Sequence, residues 1–240
     1  VIHLAGRRST REDGPFSLSI FTDANLKILE DLFQSATHNN VGSYVFASSI
    51  AVYSPRNQCP YRDQDIPHPV NNYGLSKLLA EQCLDLWARN TPIAITNLRL
   101  AAIFGYGERN SAVLMKFVGE ALEKRPLILT GNTAYNIDQV YIRDVTDAFL
   151  ASLEGTNPGG TFNIGAGQGY TVAQIAESIN EVFGNTDNVV VRDPKTGKVS
   201  QNFMDIERAK SILGWSPKWG LDRGLKDFLA AIRNNETDNS

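Results

Sequence analysis

Tyr73 and Lys77 stand four residues apart in Tyr73-Gly74-Leu75-Ser76-Lys77, a stretch that opens a helical segment, so the two side chains share one face. A free phenol ionises near pH ~10 and is a poor base at neutrality; a neighbouring ammonium favours the phenolate, which turns the pair into a candidate acid/base. Upstream, Ser48 and Ser49 follow the apolar run Tyr44-Val45-Phe46-Ala47, which reads as a buried parallel strand. Open α/β sheets take their ligands at the carboxyl ends of such strands. A loop containing Pro55, Pro60, Pro67 and Pro69 connects this strand to the helix. Taken alone, a Tyr-x-x-x-Lys spacing is more often an aromatic core residue beside a solvated lysine. Its surroundings decide the matter.

Phe46-Ala47-Ser48-Ser49-Ile50-Ala51-Val52-Tyr53 together with Tyr73-Gly74-Leu75-Ser76-Lys77 resembles the extended short-chain dehydrogenase/reductases, the NAD-dependent epimerase/dehydratase family. The resemblance covers nearly the whole chain. It implies an α/β fold with a Rossmann-like parallel sheet and a smaller mixed α/β substrate lobe, NAD or NADP as cofactor, and Ser49, Tyr73 and Lys77 as the catalytic set. In that reading Tyr73 is the acid/base, Lys77 keeps it ionised and binds the nicotinamide ribose, and Ser49 hydrogen-bonds the reacting oxygen. Leu4 and Ala5 would line the cofactor floor, and Asn25 is a further candidate, because the family has an Asn near the cofactor in the corresponding helix. Without that resemblance, a helix-interior Asn is ordinarily a solvated surface residue.

Several elements must position these groups. Val1-Ile2-His3-Leu4-Ala5-Gly6 reads as a strand running into a Gly turn. In the family such a segment is the fourth strand of the sheet, preceded by units that carry the Gly-rich pyrophosphate turn and an acidic ribose contact. The expectation is therefore of an N-terminally truncated chain, lacking about 60 residues and binding a dinucleotide poorly. Ile20, Ala24, Ile28, Leu29, Leu32 and Phe33 recur at helical spacing and predict an amphipathic helix over residues 16–36. With the helix after Tyr73, which carries Leu78, Leu79, Cys83, Leu86 and Trp87, it forms a pair that the resemblance links to a homodimer; burial within the monomer is the simpler alternative.

Ile93 to Leu100 predicts another strand, followed by Ala101-Ala102-Ile103-Phe104-Gly105-Tyr106-Gly107, which resembles the family's passage into the substrate lobe. Ala102 replaces an Asn able to hydrogen-bond substrate, and Ile137 stands where nucleotide-sugar members often have an Arg that grips a diphosphate. Both departures count against a nucleotide sugar. Arg109, Lys195 and Lys198 are loop cations that could meet an anion, although most loop cations are simply solvated. Asp144 is expected to cap the helix beginning near Arg143. Thr161 to Ile164, the turn Gly165-Ala166-Gly167-Gln168-Gly169, a helix capped by Thr171 with Gln174, the strand Asn188 to Val191 and then Asp193 imitate a dinucleotide-binding βαβ unit. The glycine spacing is one residue short, and too little chain follows Asp193 to complete a doubly wound sheet. Asp205 to Gly214 predicts a helix stopped by Pro217, and Leu221 to Ile232 a final amphipathic one.

A chain of 240 residues with 42% apolar content can bury a sizeable core. The expected division is 1–104 and 139–165 for the dinucleotide-binding domain, with 105–138 and 166–240 for the substrate lobe. A net charge of -3 with no long basic run argues against nucleic acid. No apolar stretch approaches the ~18 residues of a membrane span, which argues against a membrane partner and for a cytoplasmic protein. Cys59 and Cys83 lack CxxC spacing, and His3, His38 and His68 lack metal-ligand spacing. The expected activity is NAD(P)-dependent epimerase/dehydratase-type oxidoreductase chemistry on a sugar or related hydroxy/keto small molecule, impaired in this chain. The alternatives are a carbonyl reductase on a non-sugar substrate, and a non-catalytic fragment or dinucleotide-sensing protein.

Overall fold

The computed structural model describes residues 1–8, 13–14, 16–108, 113–154, 159–186, 188–194 and 201–237; Arg109, Lys195 and Lys198 lie outside that set. In chain order the elements are β1 (Ile2–His3), α1 (Leu18–Phe21), a π-helical stretch (Thr22–Lys27), α2 (Ile28–His38), β2 (Ser43–Ser49), a 3₁₀ turn (Ile50–Val52), α3 (Asn72–Ala88) and β3 (Ala94–Leu100). They continue with β4 (Ala102–Phe104), α4 (Val113–Leu122), β5 (Leu127–Gly131), β6 (Asn136–Ile137), β7 (Gln139–Tyr141), α5 (Ile142–Ala151) and β8 (Gly160–Ile164). Last come β9 (Tyr170–Thr171), α6 (Val172–Phe183), β10 (Val189–Pro194), α7 (Glu207–Leu213) and α8 (Leu221–Thr237). The chain divides into two compact units, one of Val1–Ala101, Thr146–Ile164 and Met204–Ser216, the other of Ala102–Val145, Gly165–Phe203 and Pro217–Ser240.

The first unit is built on a sheet of order β1-β2-β3-β8 whose strands all run parallel. β2 is buried from Tyr44 to Ser49, as expected of a strand covered on both faces. Tyr44 and Phe46 project from it into a cluster with Leu29, Phe33, Ala80, Leu84, Ile93 and Ile95. This places α2 and α3 together against one face of the sheet.

The expected single helix over 16–36 is interrupted. Thr22–Lys27 is wound as a π-helix, and the buried stripe is Phe21, Asn25, Leu29 and Phe33, whereas Ile20 and Ile28 are exposed. The wider turn holds Asn25 inside, one residue away from the stripe that hydrophobicity alone selects. α3 begins where the Asn71 side chain accepts the Gly74 N–H at 2.8 Å. Gly74 is pressed against the Ala51 carbonyl of the 3₁₀ turn, so a Cβ there would have no room. These contacts fix the first turn of α3 against the carboxyl end of β2.

The second unit has its own core, in which Phe104, Leu114, Phe117, Leu129, Tyr141, Ile175, Ile179 and Phe228 are buried together. Within it β10 pairs in parallel with β5, β4 with β7 in parallel, and β6 with β9 antiparallel. The imitation of a dinucleotide-binding unit is thereby resolved, because β8 and β10 belong to different sheets. The Ala166 N–H is taken by the Asp138 carboxylate at 2.7 Å, and Thr171 and Gln174 close the start of α6 with a reciprocal capping box. Asp144 corrects another expectation. It lies inside α5 rather than before it, fully buried, and its carboxylate accepts the N–H groups of Lys218 at 2.7 Å and Trp219 at 3.1 Å.

Candidate active site

Three consecutive residues at the end of β2 dock onto successive turns of α3. Lys77 Nζ donates to the Ala47 carbonyl at 2.8 Å, the Ser48 hydroxyl donates to Glu81, and Ser49 hydrogen-bonds the Tyr73 phenol. The spacing that suggested a common face for Tyr73 and Lys77 is thus realised, with Lys77 Nζ 5.9 Å from the centre of the Tyr73 ring and 4.7 Å from that of Phe46. Ser49 also accepts the Ala51 N–H at 3.2 Å, which starts the 3₁₀ turn and limits rotation of its hydroxyl.

Asn25 meets the same helix at Ser76. Its Oδ1 accepts the Arg7 N–H at 2.6 Å, and its Nδ2 donates to Ser76 Oγ at 3.0 Å and to the Arg7 carbonyl at 3.3 Å. Ser76 in turn donates to the Tyr73 carbonyl at 2.8 Å. Asn25 therefore ties the segment after β1 to the turn of α3 that bears Tyr73. That segment carries Leu4, 64% exposed, and the exposed Ala5. At Gly6 an added Cβ would lie 3.2 Å from Asn25 Oδ1 and 3.5 Å from Lys77 Nζ, so the glycine leaves the lysine reachable. A hollow of about 220 Å³ opens beside Tyr73, lined also by Asp13, Ser17, Phe21, Asn71 and Asn72.

Burial dominates the electrostatics. It pushes the Tyr73 phenol above its ordinary value, while the Ser49 hydrogen bond and the Arg8 charge pull it down. The expected depression by Lys77 does not prevail in this state. Desolvation instead lowers the Lys77 ammonium to about 8, against the opposing attraction of Glu81. The site thus holds a neutral phenol beside an amine close to its own titration point. Beneath it His3, buried on β1, shares a 2.7 Å hydrogen bond with the Tyr44 hydroxyl; desolvation, then the Lys77 charge, depresses it to about 4.

Sequence reasoning missed the buried polar network behind the pair. Glu81 receives Arg99 through Nη2 at 2.6 Å and Nε at 3.0 Å, and Arg99 Nη1 donates to the Tyr53 hydroxyl at 2.7 Å. That hydroxyl donates to Asn163 Oδ1 at 2.9 Å. The signal was available: Glu81 follows Lys77 by four residues, and Arg99 is a charge inside an otherwise apolar strand. Among the described residues no group of three or more His, Cys, Asp or Glu is arranged to hold a metal ion.

Comparison with known proteins gives this geometry its context. The chain is 28% identical to dTDP-4-dehydro-6-deoxyglucose reductase of Escherichia coli over 84% of its own length, and spans 65% of that protein. It superposes on UDP-N-acetylglucosamine 4-epimerase of Bacillus cereus with a TM-score of 0.87 at 28% identity, covering 97% of this chain and 76% of that one. For UDP-glucose 4-epimerase of Thermotoga maritima, solved with UDP-glucose, the TM-score is 0.84 at 30% identity, covering 98% of this chain and 77% of that one. A sequence model of the NAD dependent epimerase/dehydratase family matches residues 1–165, and the chain belongs to that family.

Proposed function

We propose that this chain provides the acid/base apparatus and the nicotinamide end of the cofactor site for NAD-dependent chemistry at a carbinol or carbonyl carbon of a nucleotide-linked hexose. The observation that carries the reading is the Ser49–Tyr73 hydrogen bond at the carboxyl end of β2, with Lys77 one turn further along α3. Tyr73 would give or take the proton on the substrate oxygen, and Ser49 would hold that oxygen in line. Lys77, buried and lowered by desolvation to about 8, would hold a proton beside Tyr73 and meet the nicotinamide ribose. NAD, when bound, supplies hydride acceptance and donation. The residues present suit its nicotinamide end, because Gly6 keeps the approach to Lys77 clear and Leu4, two residues earlier in the chain, is an exposed apolar side chain.

The first unit would be the dinucleotide-binding part and the second the substrate lobe. The nucleotide sugar is favoured by the substrates in the names of the similar proteins, whereas Ala102 and Ile137 favour the second reading, reduction of a non-sugar carbonyl compound. The protein, incubated with NAD and a panel of UDP- and dTDP-hexoses under proton NMR, separates the two. NAD-dependent conversion of a sugar nucleotide supports the proposal. Turnover confined to simple ketones or alcohols replaces it with the second reading.

We further infer self-association through α2 and α3. A groove of about 510 Å³ lined by Phe33, Trp87, Glu30, Gln34, Thr37 and His38 lies along these helices, and neighbouring Leu86 is 56% exposed. Apolar side chains left in this position suit a second copy of the same helix pair.

A further inference from the structure

We propose that Glu81 is the positioning residue of the acid/base pair: it locks the end of β2 against α3 so that Ser49 meets Tyr73, and it is the counter-charge one turn from Lys77. The inference rests on the proposed roles of Tyr73 and Lys77 and extends them to a residue outside the expected catalytic set.

The geometry places Glu81 at a junction. Residues at intervals of four put Tyr73, Lys77 and Glu81 along one side of α3. Glu81 is only 3% exposed, although an isolated buried carboxylate is strongly disfavoured. Its partners come from two adjacent strands at matched register: Ser48 on β2 is the direct neighbour of Arg99 on β3, and both reach Glu81. One carboxylate thereby pins two strand ends to the helix. Ser48 immediately precedes Ser49, so fixing the Ser48 side chain sets the backbone from which the Ser49 hydroxyl reaches Tyr73.

The same carboxylate acts on Lys77, one turn back. The charged and titratable groups that bear on the lysine are Tyr73 and Glu81 on α3 and His3 on β1, with Arg99 on β3 bonded to Glu81 and Arg8 acting on Tyr73. His3 is held neutral, so it contributes no charge at neutral pH. Arg99 and Lys77 are both cationic, which leaves Glu81 as the group that offsets the desolvation of Lys77. Asp85, a further turn along the helix, is exposed and bonded to Asn97 at 3.4 Å, with no hydrogen bond to Ser48 or Arg99.

The test titrates Lys77 directly. In carbon-13-labelled 240-residue chain, the lysine Cε shift is followed against pH in the parent, in Glu81→Gln, in Glu81→Met with Arg99→Met, and in Asp85→Asn. The paired methionine variant guards against misfolding, because replacing both members of a buried ion pair by apolar groups is generally tolerated. Loss of Glu81 is expected to lower the Lys77 midpoint by about one unit in Glu81→Gln, whereas Asp85→Asn leaves it in place. In turnover assays the paired variant should lower kcat at least about tenfold while KM changes by less than about twofold. A Lys77 midpoint that stays at the parent value in Glu81→Gln, or a paired variant that turns over at the parent kcat, overturns the inference. The titration is read without turnover, so this failure is distinct from failure of the proposed reaction.

Discussion

His3 shows how far a single buried side chain in this fold departs from its behaviour in water. Its proton affinity in the folded chain is depressed to about 4 from 6.5, so the native state excludes a proton that the unfolded chain accepts. The sign follows: stability falls as pH drops from about 6.5 towards 4, and this contribution is constant outside that window. A shift of this size corresponds to about 3–4 kcal/mol before solvent screening, which reduces it. Urea unfolding at pH 7.5 and pH 4.5 should show a larger loss in the parent than in His3→Gln, which keeps a partner for the Tyr44 hydroxyl and does not titrate. Equal losses would mean that His3 is not held neutral. Asn25 makes the complementary case, since its polar atoms join Arg7 to Ser76 in a buried setting. Asn25→Leu should cost about 1–3 kcal/mol, although helix patterning alone would rate leucine an improvement.

At the scale of elements, the contact between α3 and the 3₁₀ turn depends on a missing side chain. Gly74→Ala would drive a methyl group into the Ala51 carbonyl and should destabilise by at least about 1–3 kcal/mol while shifting Tyr73 away from Ser49. Gly119, inside α4 with open space around it, should behave in the opposite sense, with Gly119→Ala gaining about 0.5–1 kcal/mol. A neutral Gly74→Ala in chemical denaturation would contradict the tight docking. What could be read in advance divides along the same line. β2, β3, α6 and α7 were legible because apolar runs, a capping box and the Gly214 stop act locally. The π-helical turn and the buried polar side of α3 were not, because Asn25, Ser76, Lys77 and Glu81 are buried by partners remote in sequence, and periodicity of apolar residues carries no record of such partners. Asp144 was misplaced for a related reason: the N–H groups it accepts come from residues 218 and 219.

At the scale of the molecule, no described helix is long and apolar enough to cross a membrane. The α2–α3 surface makes a prediction about assembly. Leu86→Glu puts a charge on an exposed apolar position without touching the buried Leu84 and Ala80, so it should shift sedimentation from dimer to monomer and leave unfolding within about 0.5 kcal/mol of the parent. An unchanged sedimentation profile from a dimeric parent would remove this face as the interface. The polar network in the first unit has a different character. Tyr53, Asn163, Asp63 and Arg99 link β3, β8 and the loop between β2 and α3, so the surroundings of the site are held by hydrogen bonds as well as by packing.

The central claim is that the Tyr73 hydroxyl carries the proton transfer, and Tyr73→Phe tests it most directly. The substitution removes one oxygen and leaves the ring against Phe21, 6.2 Å between centres, so circular dichroism and urea unfolding should stay close to the parent. With NAD and the best nucleotide-sugar substrate, kcat should fall by about 10²–10⁴-fold. A folded Tyr73→Phe variant that turns over at the parent rate would contradict the account.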